Sequence, residues 1–210
     1  MYVERPLKDF LEDVASRTPA PGGGSVAALT GALGSSLLCM VANFTLGKEK
    51  FKEVEEEVSI ILRELKRCTD KLCRFMEDDI SAYANFSRLL SLPKNTPQEK
   101  EKREKLLQEA LKNAAQVPLK ICEYCYELLT HASRLLEIGN PRLVSDVGVG
   151  AFLAWAGLES AALNVEINLP GIKDEIFVKE RRSSISYFLK HGSQIYHQIR
   201  REVRKRIASV

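Results

Sequence analysis

Two residues in a helical stretch have the types that proton-transfer chemistry needs. Asp79 and Tyr83 are four residues apart, so their side chains lie on one face of a helix. A carboxyl group can move a proton and stabilise a cationic centre, and a tyrosine beside it can donate a hydrogen bond or stack on a ring. Asp79 is therefore the first catalytic candidate, with Tyr83 beside it. The alternative is a solvated Asp79 in the acidic run with Glu77 and Asp78, and a Tyr83 packed for structure.

A glycine-rich loop, residues 19–26, leads directly into another helix. Its glycines expose backbone N–H groups at the positive end of a helix dipole, which suits an anion or a polar heterocycle. Ser25 stands at a predicted N-cap. The loop is neither a P-loop nor a dinucleotide fingerprint, because it lacks G-K-[ST] and no strand precedes it. The binding candidates here are Gly22, Gly23, Gly24 and Ser25.

A second polar group combines a carboxylate with side-chain amides. Asp146 follows Ser145 at the start of a predicted helix, where it is either the second catalytic candidate or a helix cap. Asn43, Asn164 and Asn168 lie on small or apolar faces, where an amide must be hydrogen-bonded. Such amides bond the backbone or bind the polar edge of a heterocycle.

The spacing of these candidates separates them into two groups. Ser25 and Asn43 are 18 residues apart, and so are Asp146 and Asn164. Eighteen residues make five helical turns, so each pair lies on one face with its members about 27 Å apart. The two ends therefore flank a long, thin ligand or serve two separate sites.

The elements that position these residues are helices, and the sequence predicts an all-α bundle of about six to eight. Apolar periodicity places helices over residues 2–15, 25–46, 51–92, 97–137, 144–167 and 174–207, with Pro118 starting or kinking a segment. No strand run or fixed repeat interrupts the pattern, so residues 1–210 form one domain. Two long helices are rich in Gly, Ala and Ser, which predicts close backbone approach within the chain or between subunits.

Composition and charge limit the function classes. The chain is 45% hydrophobic with a net charge of +3, which argues against disorder and against a dedicated nucleic-acid binder. Residues 18–47 carry no charge, although they are too rich in polar and small residues to favour a membrane span. Residues 179–210 carry nine Lys or Arg and two Glu. This basic tail is a solvated face, an attractor of a polyanionic substrate tail, or a nucleic-acid contact.

The start of the chain lacks a basic region followed by an apolar run, so we expect a cytoplasmic location. Five cysteines in that compartment favour free thiols. Cys122 and Cys125 form a C-x-x-C inside a helical pattern, which favours buried structural cysteines over a redox pair or a zinc site with His131. No metal site is predicted.

In context, the glycine loop has a specific resemblance. Residues 18–29, with Val41-Ala42-Asn43 and Gly47-Lys48, closely resemble the formiminotetrahydrofolate cyclodeaminase and methenyltetrahydrofolate cyclohydrolase family. Further segments follow in the family's order, over about residues 5–180. They are residues 79–83, 92–94, 115–119, 139–146 and 164–169.

The resemblance implies an all-helical folate enzyme that is usually dimeric and has no tightly bound cofactor. Its substrate is a tetrahydrofolate derivative, with or without a polyglutamate tail. The expected reaction closes 5-formiminotetrahydrofolate to 5,10-methenyltetrahydrofolate with release of ammonia. One alternative is hydrolysis of the methenyl compound, and another is a non-catalytic helical scaffold that oligomerises through the small-residue helices. Both reactions need a proton acceptor, a proton donor and stabilisation of a cationic centre.

Overall fold

A computed structural model describes residues 1–209, and these residues form an all-α bundle without a strand. The bundle has six α-helices, as the sequence predicts. They are α1 (Leu7–Ala15), α2 (Gly23–Thr45), α3 (Glu55–Leu90), α4 (Pro97–Ile138), α5 (Val144–Glu166) and α6 (Glu175–Ala208). Short 3-10 turns lie at Tyr2–Glu4, Glu49–Val54, Pro141–Leu143 and Leu169–Gly171.

Helix starts follow local capping chemistry, with one correction. Thr96 accepts a hydrogen bond from the Glu99 N–H in a capping box at the start of α4. The expected N-cap role of Ser25 is wrong, because α2 begins at Gly23 and its N-cap is Gly22. Ser25 therefore lies inside the first turn, and its hydroxyl is available for a longer-range contact.

Pro118 lies inside a helix, so of the two expectations, a helix start or a kink, the start is wrong. α4 continues through it from Pro97 to Ile138. A proline inside a helix has no N–H for the carbonyl four residues earlier, here that of Ala114. The Asn168 Nδ2 donates to the Ala114 oxygen at 3.2 Å, so a side chain from beyond α5 satisfies the freed carbonyl.

The small-residue helices α2 and α5 pack against each other in antiparallel directions. Gly31 faces Gly157, and a Cβ added at Gly34 would lie 2.9 Å from the Gly150 oxygen. Such close backbone approach explains why glycines are tolerated inside helices that they would otherwise weaken. The glycines of these helices are thus used for packing within the chain.

The remaining long helices enclose this central pair. α3 and α4 pack on one side, α6 packs against α4 and α5, and the core joins residues of all six helices. Cys68, Cys122 and Cys125 are buried in this core, as predicted for structural cysteines, and burial raises the pKa of the Cys122 thiol to about 12. Cys39 and Cys73 are half-buried.

One surface of the central pair is apolar and exposed. Val26, Leu33 and Phe44 form a stripe on α2, and neighbouring α5 and its end present Val149, Leu163 and Ile167. We call these six residues the α2/α5 face. By length and hydropathy, segments Gly23–Thr45 and Pro141–Gly171 could each cross a membrane, although 56% and 50% of their apolar windows are buried within the bundle.

Candidate active site

Asp79 lies directly against the N-terminus of α2. The Ser25 Oγ donates a hydrogen bond to Asp79 Oδ2 at 2.8 Å and also lies 3.3 Å from the Met76 oxygen. A Cβ added at Gly24 would lie 2.6 Å from Asp79 Cγ, which is shorter than any normal contact. The Asp79 carboxyl group therefore leaves room only for glycine at position 24. A carboxyl group of the chain itself, rather than a bound anion, thus lies at this helix N-terminus.

Burial controls the protonation of this carboxyl group. Desolvation raises the pKa of Asp79 above its ordinary value of 3.8, while hydrogen bonds from the Ser25 hydroxyl and backbone N–H lower the pKa by a smaller amount. A raised pKa makes the carboxylate a better proton acceptor than a solvated aspartate. Because Asp79 is half-buried, its carboxyl group is suited to proton transfer. This argues against the alternative in which Asp79 is a solvated surface residue.

A cavity of about 330 Å³ opens beside Asp79. Tyr83 and Phe86, one and two turns further along α3, provide aromatic surface, and Tyr83 is 43% exposed. Among residues 1–209, Asp79 is the only carboxyl group that lines this cavity. The lining residues are Pro19, Ala20, Gly22, Gly23, Gly24, Asp79, Ala82, Tyr83, Phe86, Ala114, Asn164, Ile167 and Asn168.

Two amides form the opposite wall, and both bond the backbone. Asn164 Nδ2 donates to the Ser160 oxygen at 2.8 Å, and the amide lies against Gly23, where a Cβ would come within 3.0 Å of Asn164 Nδ2. Asn168 Nδ2 donates to the Asn164 oxygen at 2.7 Å as well as to Ala114. Within residues 1–209 neither side-chain Oδ1 accepts a hydrogen bond, so both remain available to N–H groups of a ligand.

The structure thus brings together only part of the predicted site. Eight candidates meet at the end of the bundle where α2 begins, which we call the glycine end. They are Gly22, Gly23, Gly24, Ser25, Asp79, Tyr83, Asn164 and Asn168. Asn43, Ser145 and Asp146 lie at the other end of α2 and α5, about 27 Å away along the helices. We call that region the Asn43 end.

The Asn43 end is held together by neutral hydrogen bonds. The buried Asn140 donates its N–H to Thr45 Oγ1 at 3.0 Å and its side-chain amide to the Phe44 oxygen at 3.4 Å. The expectation that Asn43 must be hydrogen-bonded is wrong, because its side chain is exposed and forms no hydrogen bond within residues 1–209. Asp146 does not cap α5 either, since Leu143 is the N-cap and no side chain bonds that terminus.

Sequence reasoning missed the apolar part of the cavity. Phe86 lies three residues after Tyr83, so its helical spacing from Asp79 could have revealed it. Ala114 and Ile167 gave no comparable signal, because only the packing of α4 against the end of α5 brings them to the cavity. The basic run at residues 197–206 lies at the Asn43 end, where Val203 packs on Gly148, so it is remote from this cavity within the chain.

Comparisons with known proteins identify the family of this chain. A family model described as formiminotransferase-cyclodeaminase matches residues 6–187. The methenyltetrahydrofolate cyclohydrolase of Methylorubrum extorquens is 38% identical over 201 residues, which cover 96% of this chain and 97% of that protein. The formimidoyltransferase-cyclodeaminase of Gallus gallus is 34% identical over 192 residues, covering 91% of this chain but only 36% of that protein.

A solved structure extends the match to the fold. The formiminotetrahydrofolate cyclodeaminase of Thermotoga maritima superposes with a TM-score of 0.81 at 32% identity, covering 99% of this chain and 98% of that one. The helical bundle and its carboxyl-containing cavity thus define a class, the all-helical enzymes of folate one-carbon metabolism. Within that class, the chain belongs to the formiminotransferase-cyclodeaminase family.

Proposed function

We propose that this enzyme converts 5-formiminotetrahydrofolate to 5,10-methenyltetrahydrofolate and ammonia in the cavity at the glycine end. The observation that carries the proposal is the half-buried Asp79, whose pKa is raised by burial and which faces a cavity walled by aromatic rings and amides. A second candidate is hydrolysis of 5,10-methenyltetrahydrofolate, favoured by the full-length similarity to the Methylorubrum cyclohydrolase.

In the cyclodeaminase reaction, folate N10 attacks the formimino carbon to form a tetrahedral centre between two nitrogens. The formimino group reacts in its protonated, amidinium form; Asp79 accepts the N10 proton, the exocyclic nitrogen takes one proton from solvent, and ammonia leaves as the methenyl bridge forms. The product is a cation, which a nearby carboxylate stabilises. In the hydrolytic alternative, the same carboxylate would accept a proton from the water that adds to the methenyl carbon.

The other lining residues have binding roles in this proposal. Tyr83 and Phe86 stack on the pterin or aminobenzoyl ring, since aromatic side chains prefer such contacts. The free Oδ1 atoms of Asn164 and Asn168 accept hydrogen bonds from pterin N–H groups. Gly22 and Gly23 allow the ligand to approach the backbone closely. The steps are proton transfers and additions, so the proposal includes no resident cofactor.

We further propose a cytoplasmic homodimer in which a second copy, rather than a membrane, covers the α2/α5 face. α2 has no charged residue, and Val26, Leu33 and Phe44 are 38%, 52% and 53% exposed. Large exposed apolar patches mark interaction sites. The substrate carries one or several glutamates, and no nucleic acid is involved. Sedimentation velocity should then give twice the chain mass of 23.6 kDa.

The experiment that tests the reaction follows 5,10-methenyltetrahydrofolate by its near-ultraviolet absorbance. Formation from 5-formiminotetrahydrofolate supports the cyclodeaminase, and faster decay of added methenyl compound supports the cyclohydrolase. We expect Asp79→Asn to lower kcat about 100- to 10,000-fold, as for loss of a general acid or base. The matched control is Asp78→Asn, which changes an exposed neighbour. Wild-type protein that acts on neither folate would overturn the proposal.

A further inference from the structure

The two groups of candidate residues lie at opposite ends of one chain. A two-fold axis between two chains would place one group of each chain beside the other group of its partner. Ser25 and Asn43 on α2 are centred on Gly34, and Asp146 and Asn164 on α5 are centred on Trp155. These midpoints lie at nearly the same level, because a Cβ added at Gly34 would lie 3.2 Å from Leu153 Cβ and 3.3 Å from the Ala154 N. A single two-fold axis at that level therefore exchanges both pairs.

We propose that two copies pack through the α2/α5 face around an axis that lies in this face and runs perpendicular to the helices. Asn43, Ser145 and Asp146 of the partner subunit then complete the cavity at the glycine end. The inference rests on the proposed function, since it concerns the same cavity and its folate.

The chemistry of the cavity supports a contribution from a second subunit. The reaction needs a proton acceptor and a proton donor, but Asp79 is the only carboxyl group that the described residues, 1–209, contribute to the cavity wall. The Asn43 end presents a second carboxyl group and further polar side chains. Asp146 is half-buried with no hydrogen-bond partner within residues 1–209, and Asn43 and Ser145 are exposed. Polar groups beside an apolar contact surface are normally paired across the interface.

Charge at the two ends of the face favours the same orientation. At the glycine end, the exposed Glu166 flanks the α2/α5 face, whereas at the Asn43 end the exposed Lys48 and Arg142 do so, and the exposed Glu159 lies nearer the middle of α5. The perpendicular axis places Arg142 of the partner subunit level with Asn168, close to Glu166. An axis parallel to the helices would instead keep Glu166 and Arg142 of the partner subunit at opposite ends, without this charge pairing.

The size of the face is adequate for such a dimer. It is about 27 Å long and two helices, or about 20 Å, wide. Both copies together would therefore bury on the order of 1,000 Å², at the lower limit for a specific interface.

A disulfide cross-link tests the arrangement without any need for activity. Val26 and Phe44 lie at equivalent distances on either side of the axis, so Val26 should oppose Phe44 of the partner subunit. We expect Val26→Cys co-expressed with Phe44→Cys to give a cross-linked dimer on oxidation, while neither variant alone does so beyond the wild-type background. The comparison pair is Val26→Cys with Leu163→Cys, which would cross-link if the axis ran along the helices. That product, or a monomer in sedimentation, would overturn the inference.

Activity complementation tests the shared site itself. We expect the Asp79→Asn and Asp146→Asn homodimers both to lose turnover, with folding checked by circular dichroism. A heterodimer isolated through two different tags has one intact site and should recover half of the wild-type turnover. An inactive heterodimer, or an Asp146→Asn homodimer with normal turnover, contradicts a shared site. Wild-type protein inactive on both folates would overturn the proposed reaction, and the cross-link would still decide the arrangement.

Discussion

The two ends of the α2–α5 pair contain similar residue types but use them differently. At the glycine end, Ser25 bonds a half-buried carboxylate whose pKa is raised by burial, and a cavity lies beside it. At the Asn43 end, Thr45 and Asn140 bond each other through neutral groups, while Asp146 is left without a partner in the described chain. Chemistry depends on which carboxyl group is desolvated beside open space, and a list of polar residues does not show this.

The largest expected effect comes from adding one methyl group at the glycine end, compared with the same change near the Asn43 end. Gly24→Ala should lower kcat by about 100-fold or more, because the new Cβ would displace the Asp79 carboxyl group. Gly148→Ala is the matched control near the Asn43 end, where the three atoms nearest to the new Cβ all belong to the Val203 side chain, the closest at 3.0 Å. Steady-state kinetics on both folates measures the difference. Near-normal kcat in Gly24→Ala would show that Asp79 does not need its present position.

A smaller effect tests whether the Asp79 carboxyl group at the glycine end is charged at neutral pH. Ser25→Ala removes a hydrogen bond to a carboxylate, so it should cost about 1.5–3 kcal/mol of unfolding free energy at neutral pH. Its loss also raises the pKa of Asp79 further, so the acid limb of the kcat profile should move to higher pH.

The sign of the pH effect on stability follows from the raised pKa of Asp79. Because the folded-state pKa lies above 3.8, the stabilisation from protonating Asp79 is complete below that pH and is lost as pH rises through the folded-state pKa. The cost of Ser25→Ala should therefore be smaller in acid than at neutral pH. Ser35→Ala is the control, since Ser35 Oγ donates to the neutral Leu65 oxygen at 2.7 Å. Equal costs at both pH values for Ser25→Ala would contradict this interpretation.

The smallest effect concerns the Asn43 end. Thr45→Val should cost about 1 kcal/mol, because the Asn140 N–H loses its acceptor. No titratable group takes part in that hydrogen bond, so urea unfolding should give the same cost at pH 5 and pH 8. A clear pH dependence would mean that a charged group, such as Asp146, is coupled to this end.

Much of the fold could be predicted from local patterns. Apolar periodicity located all six helices, and the predicted start of the helix at residue 97 is the observed start of α4. The errors arose where tertiary contacts replaced local signals. Ser25 looks like an N-cap, but its hydroxyl bonds Asp79. Pro118 looks like a possible helix start, but α4 continues through it and Asn168 satisfies the carbonyl that it frees.

The sequence predicted the residues of the candidate site but not which of them lie together in the cavity. Helical spacing put Asp79 with Tyr83 on one face, and it also showed that Ser25 and Asn43 could not touch one small group. It could not show that Gly24 lies under the Asp79 carboxyl group, because that contact joins residues 55 positions apart.

The sequence by itself determined the helices, the family and the pairs of residues that share a face, since these depend on local spacing and on motifs. Only the tertiary structure decided which end of the α2–α5 pair holds the cavity and which carboxyl group is desolvated. The physical reason is that burial and pKa depend on neighbours contributed by distant segments. Asp79 has its raised pKa because α2 begins against α3, and no property of residue 79 alone could reveal this.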